Sequence, residues 1–172
     1  AWENEGAGGV WIVPFLLAAA FFWVFTPQIN WWWYSKRPPA LEEGVVAAIT
    51  RLVPFYQQLD ETNRKRFRDR LALTRMATNW TGKDMPDEIP PDLETAVAVQ
   101  SVIVTWKQDD FLLHDLENIV IAPGPFLSPE HPYRHSSETY RPESCMLFSA
   151  KAAMDAFVQP DQHFNVVLYE YI

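Results

Sequence analysis

Apolar and polar positions divide this chain into stretches of different character. Val10–Phe25 is sixteen residues without a charged or polar side chain. As a helix it covers about 24 Å, short of the roughly 30 Å of a bilayer core. Thr26-Pro27-Gln28-Ile29-Asn30 extends it, and Trp31-Trp32-Trp33-Tyr34 followed by Ser35-Lys36-Arg37 supplies an aromatic belt with a basic anchor. A cleaved signal peptide carries basic residues ahead of its apolar run, whereas this segment carries Glu3 and Glu5. A buried core helix is not ordinarily followed by three adjacent tryptophans. Residues 1–37 therefore predict a single transmembrane anchor. Its expected lipid or partner contacts are Trp11, Phe15, Phe22, Trp23, Trp31, Trp32, Trp33, Tyr34, Lys36 and Arg37.

Past Pro38-Pro39 the spacing becomes that of amphipathic helices. Residues 38–52 read as a linker with a juxtamembrane helix, apolar at Val45, Ile49 and Leu52. Asp60 is placed as an N-cap for a helix over 61–78, with Phe67, Leu71 and Met76 on its inner face. Its outer face is expected to carry Arg64, Lys65, Arg66, Arg68, Arg70 and Arg75. Such a face suits lipid phosphate or an acidic partner, with a merely solvated face as the alternative. Trp80-Thr81-Gly82 closes that unit, and a Pro-rich loop leads to Asp92, the expected cap of a buried helix over 93–106. Asn118–Ala122 and Cys145–Phe148 predict short strands, with a polar loop over 128–142 between them. Helices are expected over 150–157 and from Asn165 onward.

Charge changes the picture. Between Thr26 and Trp80 nine Lys/Arg face five Asp/Glu, and after Trp80 five face fifteen. A basic region next to the anchor suits anionic head groups. The acidic remainder argues against a nucleic-acid partner. None of the basic residues precedes the span, while Lys36, Arg37 and Arg51 follow it, so the N-terminus is expected outside and the domain on the cytoplasmic side. The single cysteine, Cys145, leaves no internal disulfide and no Cys-based zinc site, and its apolar strand makes it a small packing residue.

Candidate chemistry concentrates at Phe164-Asn165-Val166-Val167-Leu168-Tyr169-Glu170. In the zinc-peptidase signature His-Glu-x-x-His, two imidazoles one helical turn apart hold the metal and the Glu activates its water. Here Glu170 stands in the general-base position, Tyr169 stands where the first His belongs, and the second would fall just past Ile172. A phenol, with an ordinary pKa of about 10, is a poor metal ligand near neutrality. Among the four histidines, His131-x-x-x-His135 has the spacing of a helical pair, but Pro129 and Pro132 make that stretch loop. Asp109-Asp110 and Asp115-Leu116-Glu117 read as acidic loop residues.

Three runs in this order resemble the family of Mlc titration factor A, zinc-dependent peptidases of bacteria. They are Val53-Pro54-Phe55-Tyr56-Gln57-Gln58-Leu59, Ile119-Val120-Ile121-Ala122-Pro123-Gly124-Pro125-Phe126, and Phe164–Glu170. The resemblance covers residues 53–172. It implies an α+β, zincin-like mixed helix and small-sheet domain, in which a small sheet edges a cleft floored by the metal helix. Of the metal site only Glu170 survives, as a vestigial general base. The expectation is a pseudo-peptidase with no catalytic residue, metal or cofactor and no small-molecule substrate. It is fused to an anchor in the bacterial inner membrane, as an accessory or scaffold subunit of a larger complex of respiratory or photosynthetic type. The alternatives are a tethered regulator that captures a soluble partner on Arg64, Lys65, Arg66 and Arg68, and a zinc peptidase that continues past Ile172.

Overall fold

The structure, a computed structural model, describes residues 12–85, 88–128 and 132–172. Trp11 and His131 lie outside the described residues. The chain divides into two compact units after Pro38.

The first unit is helix α1, Ile12–Lys36, 25 residues with none buried. At 1.5 Å per residue it is about 37 Å long, enough to cross a bilayer core. It is the one helix, among the described residues, long and apolar enough to span a membrane. Thr26–Asn30 and the three tryptophans continue the helix through Pro27. At its end the Arg37 guanidinium stacks over the Trp33 ring at 4.6 Å.

The second unit mixes helices with a small sheet. Helix α2 (Glu43–Leu52) leads through the one-turn α3 (Pro54–Gln57) into α4 (Glu61–Ala77). Strand β1 (Asn79–Gly82), helix α5 (Pro91–Val104) and strand β2 (Asn118–Ala122) follow, and β1 pairs parallel with β2. Strands β3 (Phe126–Leu127) and β4 (Arg134–His135) form a separate antiparallel pair. Strand β5 (Ser137–Tyr140) turns through Ser144, at φ 49°, into β6 (Cys145–Ser149). Helices α6 (Ala150–Val158) and α7 (Val166–Tyr171) end the chain. The sheet order is β1-β2-β6-β5, three parallel strands with an antiparallel edge.

Strand periodicity explains how the layers meet. Ile119 pairs with Met146 and Ile121 with Phe148, so alternate residues of β2 and β6 form one apolar face. That face packs on Leu93 and Val97 of α5, Ala153 of α6 and Val167 of α7. A second core joins Val45 and Ile49 of α2 to Tyr56, Phe67, Leu71, Val99 and Val102. The helix expected at Val45, Ile49 and Leu52 is thus present as α2, with Val45 and Ile49 buried in the folded domain.

Several expectations are corrected. Asp92 is not a cap: Pro90 holds the N-cap position of α5 and Asp92 lies in its first turn. Trp106 lies past the helix end. Trp80-Thr81-Gly82 belongs to an edge strand, and the expected loop over 128–142 contains β4 and β5. Met76 faces solvent. Asp60 caps α4 as expected, its carboxylate accepting from the Asn63 N–H at 2.8 Å.

Candidate functional site

Helix α7 is a single short turn-and-a-half whose start is fixed by Asn165, with Oδ1 accepting from the Leu168 N–H at 2.9 Å. Val167 is buried on the sheet, and the Tyr171 ring lies 6.4 Å from Phe148. Burial pushes the Tyr171 phenol above its ordinary value. With residues 167 and 171 turned inward, the helical period sends Glu170 toward β5 and Tyr169 outward. Tyr169 is 65% exposed and lies against Phe164, ring centroids 5.6 Å apart.

Strand β5 presents the matching chemistry for the same reason of period. Ser137 pairs with Phe148 and Thr139 with Met146, which puts both hydroxyls on the helix-covered face. They meet Glu170 there: Ser137 Oγ donates to Oε1 at 2.8 Å and Thr139 Oγ1 to Oε2 at 2.6 Å. Glu138 and Tyr140 point to the other face, where Ser128 Oγ donates to Glu138 Oε1 at 2.6 Å and lies 3.2 Å from the Tyr140 hydroxyl. An open groove of 670 Å³ runs along this edge, lined by Glu138, Thr139, Tyr140, Arg141, Tyr169 and Glu170, among others.

Glu170 is therefore held at both oxygens by hydroxyl donors, an arrangement that fixes α7 on the edge strand. Tyr169 offers only a phenol. No group of three or more His, Cys, Asp or Glu side chains gathers as metal ligands among the described residues. The donor set at this helix does not fit the zinc ion that the family resemblance implies. His135 lies on β4, stacked with the Tyr133 ring at 4.6 Å.

The basic helix is largely turned to internal use. Arg64 donates to the Gln57 carbonyl at 2.9 Å and sits over the Tyr56 ring. Arg68 bonds the Tyr56 hydroxyl at 2.6 Å and Glu61 at 3.1 Å. Lys65 pairs with Asp69 at 2.6 Å, and the Arg66 guanidinium lies 5.1 Å from the Trp106 ring centre. Arg70 and Arg75, expected outside, point inward. Arg75 bridges Glu42 at 2.9 Å and Glu94 at 3.1 Å. That contact holds the Glu42 carboxyl below its ordinary value. Arg70 is 6% exposed, and its guanidinium donates to the carbonyls of Thr105, Trp106 and Gln108 at 3.1, 3.1 and 2.7 Å. The signal for Arg70 was present in the sequence: it lies three residues after Phe67 and next to Leu71, on the inner stripe.

The remaining anchor residues expected as contacts, Phe15, Phe22, Trp23, Trp31, Trp32, Trp33, Tyr34 and Lys36, all lie exposed on α1. Ser137 and Thr139 are the site residues that sequence reasoning missed. Polar and isolated, they show their role only through strand pairing. No family model, no curated protein and no solved structure matches the chain.

Proposed function

We propose that this chain is a non-catalytic, membrane-anchored accessory or scaffold subunit of a larger bacterial membrane complex. The observation that carries the reading is the engagement of Glu170 by Ser137 and Thr139. The residue in the general-base position serves as a structural tether, so a folded surface attached to an exposed aromatic helix is what remains to act. The antiparallel edge strand β5 beside α7 is consistent with descent from a zincin-like peptidase fold. Lys36 and Arg37 follow the apolar span, which supports a cytoplasmic domain and an inner-membrane location. Arg64, Lys65 and Arg68 are engaged within the domain, which weakens the regulator reading based on a free basic face.

The test is mild solubilisation of native membranes followed by native electrophoresis. A scaffold subunit migrates in a high-mass assembly; a chain that migrates alone refutes the proposal. Protease treatment of sealed inside-out vesicles tests orientation, and a protected C-terminal domain there refutes the cytoplasmic placement.

A further inference from the structure

We draw no further inference here: the strongest candidate, the open groove between strand β5 and helix α7, belongs to the site already described, and nothing in the structure shows what covers it.

Discussion

Arg70→Ala should be the most destabilising change on the charged surface of α4. The guanidinium reaches the C-terminal end of α5 and donates to the carbonyls of Thr105, Trp106 and Gln108, at and just past its last turn. It also lies 5.6 Å from the Trp106 ring centre and 4.6 Å from that of Phe111. A hydrogen bond from a charged donor contributes about 1.5–3 kcal/mol, and a ring contact about 0.5–1 kcal/mol. These do not add, because one guanidinium serves all of them and its burial opposes them. That burial, with repulsion from Arg66, holds Arg70 below its ordinary pKa. The expected net loss is about 3–4 kcal/mol, from the lost charged hydrogen bonds to three carbonyls together with the lost packing of a buried side chain. Arg70→Met keeps most of the packing and should lose about 2–3 kcal/mol, isolating the hydrogen bonds. Arg70→Lys, a single point donor, should fall between wild type and Met. The assay is urea unfolding of the full chain in mild detergent, followed by tryptophan fluorescence. An Arg70→Met protein within about 0.5 kcal/mol of wild type would refute the claim that this residue staples α4 to the end of α5.

Other outcomes follow from the same geometry. Glu170→Ala should lower the unfolding midpoint by the equivalent of about 1–3 kcal/mol, and Ser137→Ala with Thr139→Ala should reproduce part of that loss. Thermal melting with and without a strong chelator checks the companion claim: the midpoint should not move, and a chelator-dependent drop would restore a metal to the site. Asn165→Ala should cost about 1 kcal/mol through the lost cap of α7, read by the same unfolding curves. For pH, Glu42 is held below its ordinary value by Arg75 in the folded state. Its contribution is therefore complete above that ordinary value and lost as pH falls through the lowered one. Glu42→Gln should flatten that acid limb of the stability–pH profile, and an unchanged slope would remove the ion pair from the account.

The long apolar helix α1, the Asp60 cap, the central strands β2 and β6 and helix α6 were legible because each is specified by its own residues. An unbroken apolar run, a carboxylate three residues before an orphan N–H, a β-branched run stopped by Pro and a short apolar run after a turn need no distant partner. The edge strands were not legible. Asn79–Gly82 and Ser137–Tyr140 are four residues each, polar or mixed, and they are strands because β2 and β6 offer unpaired backbone beside them. The inward turn of Arg75 was lost for a related reason: a cation on a helix reads as solvent-facing until its acceptors, 19 and 33 residues away, are brought alongside. Sequence alone determined the long apolar helix near the N-terminus and the Tyr169-Glu170 pair in the last helix. Only the folded domain decided what Glu170 does, because its two hydroxyl partners lie more than thirty residues earlier and reach it through strand register.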